Sequence, residues 1–169
     1  MNGVTKLGAM ALLAATTIQL ALADEMPSRK PGLWQVVMDR PGKNMPQHEI
    51  KSCIDANTDA EMFKMGMATA QGMCSRLESH RDGDVFTTGA VCKVNETQMT
   101  THSVSHFTGD TAYHTDINTR FDPPMMGKSE SVMTQDAKWT GPCPPDMQPG
   151  DIVMGNGMKM NLKSMAAEK

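Results

Sequence analysis

Aromatic side chains are scarce in this sequence: two Trp, one Tyr and four Phe among 169 residues. Whatever core it builds must be filled mainly by other side chains. An excess of basic charge is also missing. The 16 Lys and Arg stand against 19 Asp and Glu, a formal charge of −3, and form no basic cluster, which argues against nucleic-acid binding. There is no Cys-x-x-Cys pair, so a thioredoxin-like redox site and a zinc ribbon lack support. There is no Gly-x-Ser-x-Gly elbow, no phosphate-binding loop and no dinucleotide fingerprint. Such a sequence names no catalytic residue and no cofactor. Beyond residue 23 no apolar stretch is long enough to span a bilayer.

What is present begins with an export signal. Lys6 supplies a positive start, Leu7 to Leu22 carries no charge, and Ala21-Leu22-Ala23 offers small residues where a signal peptidase reads. Cleavage is expected after Ala23, which places the mature chain in the periplasm. The alternative, a retained anchor, is opposed by the short run and by Thr16, Thr17 and Gln19 within it. No cysteine stands at the cleavage point to carry a lipid. Removing 23 residues leaves 146, holding 15 basic and 19 acidic side chains, enough for one domain. We expect a single β-rich domain over 24–150 and an irregular, Met-rich tail over 151–169.

The pattern is mainly β. Leu33 to Asp39 reads as a strand with Trp34, Val36 and Met38 on one face, and His48 to Ile54 as a second. Asn57 or Thr58 can cap a short helix from about Asp59 to Ala70, with Gly72 just past its end. Cys74 to Arg81 and Val85 to Val94 form one hairpin; Gln98 to Thr108 and Thr111 to Phe121 form another. In the last arm Tyr113, Thr115, Ile117, Thr119 and Phe121 alternate with polar residues and should meet the core. Asp122-Pro123-Pro124 ends that strand, and Lys128 to Thr140 makes the final one. The sum is an antiparallel meander of six or seven strands with one short helix, forming a curved sheet or a partly closed barrel.

Four cysteines behind an export signal read as two disulfides. If Asp82-Gly83-Asp84 is a three-residue loop, Arg81 faces Val85 and counting back sets Cys74 opposite Cys92, close enough to bond. Cys53 with Cys143 follows by elimination. A one-residue change in the turn would remove the opposition.

These landmarks together resemble a known family, the exported bacterial proteins grouped as domain of unknown function 3617. The resemblance rests on Lys30-Pro31-Gly32-Leu33-Trp34, on the order Cys53, Cys74, Cys92 and Gly141-Pro142-Cys143, and on Gln148-Pro149-Gly150-Asp151. Gly109-Asp110 ahead of a strand with Tyr113 also fits. The resemblance spans roughly residues 28 to 151. It implies export and a small β-rich domain. It supplies no activity and no catalytic residues.

Three kinds of chemistry remain to be weighed. His106 and His114 become cross-strand neighbours if residues 109 to 111 form a three-residue loop, with Asp116 diagonal to His106. Two His and one carboxylate can hold zinc or act as an acid–base group in a hydrolase. The plainer reading is the wet face of an antiparallel sheet. His102 lies about 13 Å along the strand from His106, too far to share an ion. Eighteen Met, 16 of them beyond residue 23, are the compositional outlier. Flexible Met fills irregular cores, but thioethers also suit Cu(I); Met154, Met158 and Met160, with Met125 and Met126, are the candidates. Finally, a curved sheet can hold an apolar ligand against Trp34, Met38, Tyr113, Phe121 and Trp139, unless those residues pack against the helix. The function expected is a small envelope binding or structural module, with an apolar ligand or an envelope protein as partner. A periplasmic Cu(I) or Zn binder is the alternative.

Overall fold

The computed structural model describes residues 26–40, 48–162 and 164. The segment 1–23 read as an export signal, most of the loop expected after Arg40, and the end of the expected tail lie outside the described residues. The chain order is β1 (Gly32–Asp39), β2 (His48–Ile54), α1 (Ala56–Met73), β3 (Cys74–Asp82), β4 (Val85–Val94), β5 (Thr97–Thr108), β6 (Ala112–Met125), β7 (Lys128–Gly141), β8 (Asp151–Met154) and β9 (Lys159–Asn161). All nine strands join one antiparallel sheet in the order β3-β4-β5-β6-β7-β1-β2-β8-β9. The sheet is not closed.

The mainly β reading stands, with nine strands among the described residues where six or seven were expected. The additional two come from 151–161, the segment read as irregular tail. There β8 pairs with β2 and β9 with β8. Strands of four and three residues are too short to show alternation among so many Pro and Gly. Strand β6 also runs past Asp122 through Pro123 and Pro124 to Met125. The prolines are tolerated because the β6–β7 register breaks between Arg120 and Met125, where ladder donors are not required.

Helix α1 starts earlier and runs longer than the sequence suggested. Its N-cap is Asp55, whose carboxylate accepts from the Thr58 amide while the Thr58 hydroxyl accepts from the Asp55 amide, both at 2.8 Å. This reciprocal pairing satisfies two backbone donors and moves the start one turn upstream. Gly72 does not stop the helix, which ends where Cys74 enters β3.

The first hairpin holds a compensation. Its turn is one residue shorter than expected: Asp82 faces Val85 across Gly83-Asp84, and Gly83 supplies the positive φ of +57° the turn needs. That shift alone would misalign the cysteines. A bulge between Cys74 and Arg76 restores the opposition of Cys74 and Cys92. The structure bonds Cys74 to Cys92 and Cys53 to Cys143.

The core answers the shortage of rings in two ways. Trp34, Val36, Ile54 and Ala137 form its buried centre, with Ile50, Met62, Tyr113 and Trp139 packed around it. Tyr113 lies between Trp34 and Phe107, at centroid distances of 6.0 and 5.1 Å. Phe63 of the helix meets Phe86 of β4 edge-on at 6.4 Å. Elsewhere on the same sheet face, hydroxyls pair across strands: Thr88 with Ser103 at 2.6 Å, Ser105 with Thr115 at 2.8 Å, and Thr101 with Thr119 at 3.1 Å. Paired hydroxyls can be buried without the penalty of lone ones, and Thr115 and Thr119 are buried.

Candidate functional site

Three regions concentrate chemistry, and they differ in what their polar groups are committed to. The first gathers the sequence landmarks at the start of β1. The buried Arg29 guanidinium donates twice to Asp59 of the helix, at 2.8 and 2.6 Å, and its amide donates to the same carboxylate at 3.0 Å. The Trp34 indole donates to the Lys30 carbonyl at 2.8 Å, and the Trp139 indole to the Pro31 carbonyl at 3.0 Å. Lys30 lies over the Trp139 ring at 4.1 Å. Gly32 has φ +135°, and a Cβ there would collide with the Gly141 carbonyl and the Trp139 indole nitrogen. No other residue type fits that crossing.

The same region continues into the C-terminal strands. The Gly150 amide donates to the Cys53 carbonyl at 2.8 Å, beside the Cys53–Cys143 bond. Asp151 is buried, and burial alone would raise its pKa. Hydrogen bonds from the Asn161 amide (2.7 Å) and the Gln148 backbone (2.8 Å), with Lys159 at 2.9 Å, outweigh that and hold the carboxyl at about 2. Every donor and acceptor named here is used inside the protein. This region is a fastening.

The second region is on the outer sheet face. His106 lies opposite His114, as the three-residue loop 109–111 predicts. The His114 imidazole, however, is engaged from the other neighbouring strand: Nδ1 meets Asp136 at 2.7 Å, while Nε2 lies 3.6 Å from Asp116. The Asp136 hydrogen bond raises the His114 pKa against desolvation, and the charges of Asp136 and Asp116 add to it. His106, His114 and Asp116 do not make a metal centre. Among the described residues no group of three or more His, Cys, Asp or Glu is placed to hold an ion. His114 is drawn towards β7, away from His106 on β5. Asp136 was not foreseen because the β6–β7 register slips between Arg120 and Met125, so counting back from the turn gives the wrong partner.

The third region is an open groove of about 770 Å³ at the far end of β1, lined by Met38, His48, Ile50, Val153, Met154 and Met158, with Glu49 and Lys51 among its other residues. The register explains the convergence. Met38 lies opposite His48, and Ile50 opposite Met154, so side chains from three adjacent strands share one face. The β8–β9 turn brings in Met158, set by Gly157 N–H to the Met154 carbonyl (2.8 Å) and Met154 N–H to the Met158 carbonyl (2.9 Å).

Of the residues expected to line a ligand surface, Met38 alone reaches this groove. Trp34 is 0 % exposed and is the centre of the core. Tyr113 and Trp139 pack against it, and burial raises the Tyr113 pKa. Phe121 is half-buried opposite Met99. Met62 of the helix packs against the Trp34 cluster. Of the soft-metal candidates, Met154 and Met158 enter the groove. Met160 lies opposite Ile152 on β9, and Met125 and Met126 sit at the β6–β7 turn. His48 was missed because residues 39–47 separate it from Met38 in the sequence, and a separation of that length fixes no register.

No helix among the described residues is long and apolar enough to cross a membrane. No curated protein and no solved structure matches the chain. A family model described as "Protein of unknown function (DUF3617)" matches residues 29–143, more than half the chain, and the chain belongs to that family.

Proposed function

We propose that this protein is an exported binding module of the cell envelope, whose binding surface is the methionine-lined groove at the end of β1. The signal-like residues 1–23 support export, with cleavage after Ala23 and a domain working in the periplasm. Two disulfides suit an oxidising compartment. The observation that carries the binding assignment is the contrast in openness along one sheet face. Trp34 and Val36 are sealed, while Met38 and Met154, farther along the same face, line an open groove.

The groove's size is within the range of small-molecule sites, and its lining is mostly apolar, which favours a small apolar ligand. Flexible, polarizable Met side chains adapt to such a ligand without a preset shape. An apolar fluorescent probe should bind the mature protein, and Met154→Glu, which puts a charge on the groove wall, should abolish binding while the protein stays folded. Undiminished probe binding in that variant would overturn the assignment. N-terminal sequencing of protein recovered from the periplasm should begin at Asp24; recovery of an uncleaved chain from the cytoplasm would refute export.

A further inference from the structure

We infer that the same groove is a Cu(I) site, with the Met38 and Met154 thioethers and the His48 imidazole as ligands and Met158 as the movable fourth. The inference rests on the groove being the open binding surface and goes beyond the apolar-ligand reading. Four observations carry it.

The first is the register. Met38 and His48 are directly opposed, so their Cβ atoms are about 5 Å apart. Met154 lies across from Ile50, two residues along β2 from His48, diagonal to the imidazole and within reach of a long side chain. His48 therefore stands between two thioethers on one sheet face.

The second is that all four candidate ligands line one groove. Met158 is about half exposed, on a turn held by two backbone hydrogen bonds, so its side chain can swing in without strand movement.

The third is that the His48 imidazole has no hydrogen-bond partner among the described residues, in contrast to His114, which is held by two carboxylates. The groove's one carboxylate, Glu49, lies beside Lys51 at 3.5 Å.

The fourth is the donor set. All four cysteines are in disulfides, so no thiolate is available. Soft thioethers, with an imidazole that also suits copper, are the donors that remain, and none of them brings a carboxylate or thiolate charge. A sulfur-rich set without those charges favours soft monovalent Cu(I) over Zn(II), Mg(II) or Ca(II), which want thiolates, carboxylates or more oxygen ligands. Thioethers also do not form disulfides, so the site persists where cysteine ligands would be oxidised.

The test is an anaerobic titration of the full mature protein with Cu(I) against a chromogenic Cu(I) chelator, followed by ¹³C-methyl NMR of labelled methionine. One equivalent should bind, moving the Met38 and Met154 methyl signals. Zn(II) should move none of them. Met38→Leu and Met154→Leu keep the groove apolar and nearly the same volume. Each should weaken Cu(I) binding by about tenfold or more. His48→Phe should do the same. Probe binding without Cu(I) binding overturns this inference and leaves the binding-module assignment standing. Failure of both ligands overturns both. Cu(I) binding that survives all three substitutions places the ion elsewhere and also overturns the inference.

Discussion

The two ends of strand β1 have opposite characters. At its start, Gly32 and Trp34 sit in a region where every named polar group is spent internally: Arg29 on Asp59, the indoles on strand-entry carbonyls, Asp151 on three donors. At its finish, Met38 faces an open groove beside an imidazole with no described partner. Lys30 to Trp34, Cys53, Cys143 and Gln148 to Asp151 all belong to the closed end.

The comparison can be broken by perturbing each end, and the closed end should show the larger effects. Replacing Cys53 and Cys143 together by Ala removes a link across 90 residues; the chain-entropy model puts the loss at about 4–5 kcal/mol, read from the denaturant midpoint. A loss no larger than that for Cys74 and Cys92, separated by 18 residues, would contradict the importance given to the longer link. Arg29→Met leaves the buried Asp59 carboxylate without its partner and should cost about 3–5 kcal/mol. Arg29→Met combined with Asp59→Leu should recover much of that, since the pair is then replaced by packing.

Asp151 offers a pH test of the C-terminal fastening. Its carboxyl is held at about 2 in the folded protein against an ordinary 3.8. The stabilisation is fully present above about pH 4 and fades as pH falls towards 2, because the unfolded chain takes up the proton first. Its size is about 2 kcal/mol. Asp151→Asn should be destabilised by that order at pH 7, and its stability should change less between pH 4 and pH 2 than that of the wild type. The smallest effect belongs to the open end. Met154→Leu should change stability by less than about 1.5 kcal/mol yet weaken Cu(I) binding about tenfold or more. A large loss of stability there would mean that the groove wall is part of the core.

Much of the fold was legible in the sequence, and the failures have physical causes. The alternation in β6 gave its inner face correctly, with Thr115 and Thr119 buried and Asp116 and Arg120 exposed. The bounds of β2, His48 to Ile54, match the structure. The Cys74–Cys92 opposition was reached through a turn one residue too long; the bulge at Ser75 supplies the missing residue. Bulges leave no mark in an alternation pattern that is mostly polar, as in β3. His114 was placed opposite His106, but its engagement with Asp136 depended on a register slip in a Pro-containing stretch. The groove was legible only as separate methionines. Bringing Met38, His48 and Met154 together needs two strand pairings, one across a long loop and one with a four-residue strand hidden in a Pro- and Gly-rich segment.

Native-state hydrogen exchange tests this division of labour most directly. The amides of Lys30, Trp139, Gly150 and Leu162, which bond across the closed end, should exchange only through global unfolding. Those of Met154 and Gly157 beside the groove should exchange through local opening at lower free energy. Equal protection at the two ends, or faster exchange at Gly150 and Leu162 than at Gly157, would contradict the account.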